Sequence, residues 1–200
     1  MNPRIAEILD RLHAIENELE TELQKGRILR GFSIKGKHVN FDRATRAQHR
    51  SRRVNLVSFL RGTTFASLST APLIYSMIVP LLILDGWMTL YQQIYFRAFQ
   101  ILRVPRSEYI VIDRQHLSYL NGLEALNCMY CGYANGVIAY AREIASRTEQ
   151  YWCPIKHALR VRDPHQRYQY FLEYGDAEGY RSRLTEYRKQ LQDPTVKATP

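Results

Sequence analysis

The chain has only three cysteines among 200 residues. They cannot all pair internally, so a secreted disulfide framework is excluded and a reducing compartment is expected. Its start, MNPRIAEILDRLHAIENELE, carries charges throughout and lacks a continuous apolar core, so no signal peptide is expected there. Acidic residues almost vanish from Arg27 to Arg61, where Asp42 alone opposes ten basic side chains. Charge of either sign vanishes from Gly62 to Leu84. The motif C-M-Y-C-G lacks the histidine of a c-type haem attachment, and Gly132 and Gly136 are spaced for a turn, not a nucleotide loop. No internal repeat is visible.

What is present divides into five stretches. Residues 1–25 read as an amphipathic helix: Pro3 suits a first turn, and Ile5, Ile8, Leu12, Ile15 and Leu19 recur at three- and four-residue steps. That seam has coiled-coil spacing, so it predicts either self-association or packing on the chain's own domain. Residues 26–61 are the basic juxtamembrane segment. Its glycine-rich beginning, GRILRGFSIKGKHVN, predicts a loop or short hairpin, and Phe41 to Leu60 a cationic helix. A net charge of +9 matched by this one window points to a polyanion, either an anionic membrane face or a nucleic-acid backbone.

Residues 62–103 form the membrane segment. Some twenty apolar residues suffice to cross a bilayer as a helix, and interior Pro72 and Pro80 would cost a soluble helix dearly. Two arrangements are open: one span followed by an interfacial helix, or a hairpin turning at Asp85-Gly86. Both flanks are basic, with Arg97, Arg103, Arg106 and Arg114 on the far side, so the rule that cytoplasmic flanks are basic favours the hairpin. Both termini and the cysteines would then be cytoplasmic.

Residues 104–163 predict a helical domain carrying Cys128-x-x-Cys131, and then Cys153 with His157. Tyr109–Asp113 (YIVID) reads as a strand or linker, and Asp113 as the cap of a helix ending near Asn127. A second helix is expected over 134–150 and a third from Cys153, with Pro154 in its first turn. On that reading Cys153 and His157 share one helix face opposite the first pair. Three sulfurs and one nitrogen predict a tetrahedral zinc site with ligands Cys128, Cys131, Cys153 and His157, structural rather than catalytic. An iron–sulfur cluster, a redox dithiol and simple burial are the competing readings. Asp113, His116 and Glu124 form a further candidate site, read more simply as a cap and solvated carboxylates, with Glu143 and Glu149 pairing with Arg142 or Arg147. Residues 164–200 are polar and Tyr-rich, predicting exposed helices broken near Gly175 or Gly179 and a frayed tail.

The run from about Arg52 to Arg160 resembles a family of uncharacterised bacterial integral-membrane proteins that share a C-x-Y-C-x-Y-x-N-G segment and a later Y-W-C-P-I-K-H segment. Here these are Cys128, Tyr130, Cys131, Tyr133, Asn135 and Gly136, then Tyr151, Trp152, Cys153, Pro154, Ile155, Lys156 and His157. The resemblance implies a bacterial inner-membrane location and a shared cysteine centre, not a reaction. The fold expected is mainly α: a membrane-embedded helix or helical hairpin followed by a small helical Cys/His domain. The function expected is a binding or assembly module with a cytoplasmic zinc site, its basic block on anionic lipid headgroups. The rivals are a membrane-bound thiol or metal-redox enzyme using the same cysteines, and a nucleic-acid-binding zinc module. The last is weakened because the apolar segment already explains the basic block as a topology signal.

Overall fold

The structure, a computed structural model, describes residues 3–29, 32–35 and 38–193. Arg30 and Lys37 of the basic block, and the tail from residue 194, lie outside the described residues. The chain is mainly helical, and it divides into two units, one of Pro3–Ile78 and Val111–Ala134, the other of Val79–Ile110 and the chain from Asn135.

In the first unit, α1 (Pro3–Leu29) leads to a hairpin of β1 (Phe32–Lys35) and β2 (His38–Phe41), paired antiparallel with Phe32 opposite Phe41. The rings of Phe32 and Phe41 meet at 5.5 Å, and Phe41 packs on His49 of α2 (Arg43–Ser51) at 5.2 Å. The cationic helix expected as one piece is two. Asn55 accepts from the Val57 backbone N–H and starts α3 (Leu56–Gly62) afresh. Thr64 then caps α4 (Phe65–Ser76).

The second unit begins with α5 (Ile78–Ala98). Pro80 has no N–H for the carbonyl of Ser76, which accounts for the break at Met77 between α4 and α5. The turn expected at Asp85-Gly86 does not form, because α5 runs straight through it. Asp85 is buried in the helix and satisfied by Arg106, whose Nε donates to its two oxygens at 2.9 and 3.2 Å while Nη2 donates at 2.6 Å. The hairpin is thereby corrected to a single helix. α5 stops at Gln100, which takes a left-handed φ of 58°, and Ile101 N–H reaches back to the Phe96 carbonyl at 2.8 Å. Ile101 and Phe96 then join Val104, Tyr140, Ile144 and Leu191 in the buried core.

Neither a strand at Tyr109–Asp113 nor a helix starting at Asp113 forms. After α6 (Arg106–Tyr109) comes extended chain and a 3-10 turn at Arg114–His116, where Asp113 makes no side-chain cap. The cap lies at Asn121, eight residues later. Asn121 Oδ1 accepts from the Leu123 and Glu124 N–H groups at 3.0 Å, and Glu124 Oε2 accepts from the Asn121 N–H at 2.8 Å. This reciprocal capping box launches α7 (Gly122–Trp152), one uninterrupted helix of 31 residues where two were expected. The helix expected from Cys153 is also absent. Cys153 N–H makes the last helical bond, to Glu149, and Pro154 ends the helix, since the residue before a proline avoids the helical region. A 3-10 turn (Gln166–Tyr170) and Gly175, at φ 92°, lead into α8 (Ala177–Gln192). This segment was expected to be exposed, but Tyr187 and Leu191 of α8 are buried.

Since Asn121 is 2 % exposed and supplies two acceptor contacts, Asn121→Ala is expected to destabilise the protein by about 1–2 kcal/mol. Thermal unfolding of detergent-purified protein followed by circular dichroism checks this; an unchanged midpoint would mean that α7 starts without its box.

Candidate functional site

The cysteines were expected to converge. On α7, Cys128 is half-buried and Cys131 exposed, one turn apart, in the first unit. Cys153 follows the end of the same helix and His157 lies in the irregular chain beyond it. Cys128 and Cys131 are thus held close together on α7 in the first unit, whereas Cys153 and His157 belong to the second. Among the described residues, no group of three or more His, Cys, Asp or Glu side chains is placed to hold a metal ion.

The chemistry of Cys153 also differs from expectation. A helix N-terminus would have favoured its thiolate. Instead it sits at the C-terminal end of α7, where the helix dipole disfavours negative charge. Cys153 is exposed, yet the protein packed around its thiol, and then the nearby Glu149 carboxylate, push its pKa up; both act against the thiolate form.

What the Tyr151–His157 segment does do is hold the C-terminal part of the second unit. The Tyr151 ring meets Phe99 at 5.1 Å and lies under the Arg188 guanidinium at 4.8 Å, while its carbonyl accepts from Arg188 Nε at 3.1 Å. The Trp152 carbonyl accepts from the Tyr180 hydroxyl. Pro154 is fully buried, and its carbonyl accepts from the Leu172 N–H at 2.9 Å. Lys156 N–H donates to the Leu172 carbonyl at 2.8 Å, and Lys156 Nζ pairs with Glu173 at 2.7 Å. His157 N–H donates to the Tyr168 hydroxyl at 2.7 Å and its ring stacks on that tyrosine. Each of these contacts clasps the C-terminal part of the unit.

The acidic residues resolve simply. Glu124 belongs to the capping box, so Asp113, His116 and Glu124 share no helix side. Glu143 pairs with Arg147 at 2.7 Å and with Arg167 at 2.9 Å. Burial would raise its carboxyl pKa, but the two guanidinium groups prevail and hold it below the ordinary value. Arg142 goes to Asp163, and Glu149 to His165 at 2.9 Å.

Sequence reasoning missed the polar groups along α5. Leu81, Asp85, Gln92 and Phe96 are its buried residues, and they fall on one face. Gln92 Oε1 accepts from the Val104 N–H at 3.0 Å, and its Nε2 donates to the Val104 carbonyl at 3.3 Å and to the Tyr140 hydroxyl. The opposite face presents Leu82, Ile83, Trp87, Leu90 and Ile94, each at least half exposed. The usable signal was the spacing of Asp85 and Gln92, two helical turns apart in an otherwise apolar run.

Two concave surfaces lie among the described residues. In the first unit a groove of about 700 Å³ runs between α3, α4 and the start of α7, lined by Leu60, Thr64, Leu68, Ala71, Tyr130 and Cys131 among others. In the second, a shallower one of about 430 Å³ is lined by Trp87, Tyr91, Ile144, Thr148, Trp152 and Cys153.

If the four-ligand site is not built within one chain, metal analysis of purified protein should find no zinc at one ion per chain. Cys153→Ser should also leave the metal content unaltered. Stoichiometric zinc lost in that variant would restore the Cys3His site.

No protein-family model, curated protein or solved structure matches this chain.

Proposed function

We propose that this protein is an integral-membrane binding or assembly module that sets the outer faces of α4 and α5 in lipid. The observation that carries the reading is the inverted helix α5. A soluble amphipathic helix turns its apolar side inward; α5 turns Asp85 and Gln92 inward and Leu82, Ile83, Trp87, Leu90 and Ile94 outward. In hydrocarbon this is the favourable arrangement, since polar side chains there face the protein and find partners. The run Phe65–Ala98 has a mean hydropathy of 1.8 over its most apolar window, only 6 % of which is buried. A soluble core helix of that composition would be mostly covered. At 21 residues, α5 is about 31 Å long, close to a bilayer's hydrocarbon thickness.

The exposed arginines of α2 and its surroundings (Arg43, Arg46, Arg50, Arg52, Arg53 and Arg61) precede this segment, suiting anionic headgroups on the cytoplasmic side. The family resemblance adds the bacterial inner membrane as the membrane concerned. Cys153, with its raised pKa, gives no support to the thiol-redox alternative. In this reading the cysteine stretch serves helix packing.

The test is extraction. The protein is expected to stay with membranes through an alkaline carbonate wash and to leave them only with detergent. Ile83→Lys, on the outer face, should cut the membrane-integrated fraction severely, because lysine at a helix centre in lipid costs about 2.5–3.5 kcal/mol. On a solvated helix face the same change would be nearly neutral. Clean recovery of the wild type in the soluble fraction would sink the proposal and favour a nucleic-acid role for the arginines.

Assembly is assigned to α1. Ile5, Ile8, Leu12, Ile15, Leu19 and Leu23 are all exposed. In heptad terms Ile5, Leu12 and Leu19 take the a positions and Ile8 and Ile15 the d positions. Leucine at a with isoleucine at d favours more than two strands. Chemical crosslinking of the full chain in membranes is expected to give species larger than a dimer, lost in Leu12→Lys. A monomer in both forms would refute this role for α1.

A further inference from the structure

We infer that the loop of residues 158–162 is an interfacial anchor, in which Leu159 enters the acyl-chain region of an anionic bilayer while Arg160 and Arg162 hold lipid phosphates. The inference deepens the membrane reading and rests on it. Leu159 is 84 % exposed, so most of its apolar surface faces away from the fold. Val161 is exposed as well, and so are Arg160 and Arg162. Apolar and cationic side chains are thus interleaved within one short loop.

Both ends of the loop are fixed to the second unit. On the near side, the His157 N–H donates to the Tyr168 hydroxyl and its ring stacks on that tyrosine. On the far side, Asp163 takes a left-handed φ of 55°, uncommon for a residue other than glycine. Arg142 of α7 holds it there, with Nη2 donating to the Asp163 carbonyl at 2.6 Å and Nη1 to its carboxylate at 3.2 Å. The carboxylate next to Arg162 is therefore taken up by α7.

The place of this attachment matches the outer face of α5. Ile138, Arg142 and Ala145 follow helical spacing and share an exposed face of α7. Ala145 borders Trp87 in the shallow groove of the same unit, and Trp87 belongs to the face that α5 turns to lipid. The level fits too. Tyr140, two residues before Arg142, meets Gln92 of α5. Beyond Gln92 that helix carries Gln93, Tyr95 and Arg97, and tyrosine and basic residues gather where a helix leaves hydrocarbon.

Charge and apolarity together select the partner. An apolar groove on a protein would suit Leu159 alone and leave two guanidinium groups at its rim. An anionic bilayer offers hydrocarbon and phosphate side by side, and arginine stems can lie along the apolar layer while their heads reach the phosphates.

The test places a fluorophore at the tip. In full-length protein carrying Cys128→Ser, Cys131→Ser and Cys153→Ser, an environment-sensitive dye is attached at Leu159→Cys, or at Ile83→Cys on the outer face of α5. In nanodiscs containing phosphatidylglycerol, the dye at position 159 is expected to shift to the blue and to be quenched by brominated acyl chains, but not by aqueous iodide. Adding Arg160→Gln and Arg162→Gln, or using phosphatidylcholine alone, should weaken both responses. Iodide quenching at position 159 together with lipid quenching at position 83 would overturn the anchor and leave the membrane reading standing. A water-exposed dye at position 83 would mark failure of the membrane reading itself. A response at position 159 indifferent to lipid charge and to the arginine substitutions would overturn the phosphate contacts. The wild type, with its cysteines intact, gives an independent check: tryptic cleavage after Arg160 and Arg162 should be slower in phosphatidylglycerol than in phosphatidylcholine nanodiscs, relative to cleavage elsewhere in the chain. Equal relative rates would also overturn the anchor.

Discussion

The structure of the second unit depends on satisfying polar groups that an apolar helix turns inward. Asp85 and Gln92 sit two turns apart on α5, and each is met by the chain that follows it: Asp85 by the guanidinium of Arg106, Gln92 by both backbone groups of Val104 and by the Tyr140 hydroxyl. Breaking one such partner leaves a buried charge or amide uncompensated, which costs far more than the net gain of the bond. These bonds therefore fix where the segment after Gln100 must lie. That in turn places Ile101 and Val104 in the core with Phe96, Tyr140 and Ile144. The same inward polarity leaves Leu82, Ile83, Trp87, Leu90 and Ile94 on the outer face of α5, so one constraint shapes both the packing and the proposed relation to lipid.

The second organising element is the continuity of α7. Its small residues let extended chain cross it closely. A Cβ on Gly136 would come within 2.8 Å of Ile110 Cα and the Tyr109 carbonyl oxygen, and one on Gly132 within 3.3 Å of the Val111 oxygen. The glycines that suggested a turn instead serve close approach on a straight helix. Pro154 then directs the chain into the parallel bridge between Ile155 and Leu172. The dense signature Tyr151–His157 becomes a clasp on the C-terminal segment, with backbone bonds, a buried proline, stacked rings and an ion pair accounting for nearly every residue in it.

Much of the local structure was legible because it depends on near neighbours. The heptad-like seam of α1, the hairpin after it, the uncharged run and the pairing of Glu143 with Arg147 all follow from spacings of three or four residues or from turn chemistry. The misreadings share one cause: residues whose meaning depends on distant partners. Asp85-Gly86 looks like a turn until Arg106 is seen to neutralise the aspartate within a helix. Asp113 is as good a cap as Asn121 on its own. Only the reciprocal bond from Glu124 distinguishes them, and the N-x-x-E spacing that signals it was in the sequence to be read. Pro154 suits a helix start and a helix stop equally well, and the preceding 31-residue helix decides between them.

By itself the sequence determined a mainly helical chain, an apolar segment bounded by a basic block, and the composition of the cysteine stretch. Each is a property of composition or short-range periodicity, and needs no knowledge of what packs where. Only the tertiary structure decided that α5 is a single helix with Asp85 and Gln92 turned inward and that α7 runs unbroken through the glycines that had suggested a turn. It also decided that a groove opens between α3, α4 and the start of α7. The physical reason is that helix continuity and the satisfaction of buried polar groups are long-range. A glycine, a proline or an aspartate has a preference in isolation, and the partner that meets it across the fold determines which preference is used.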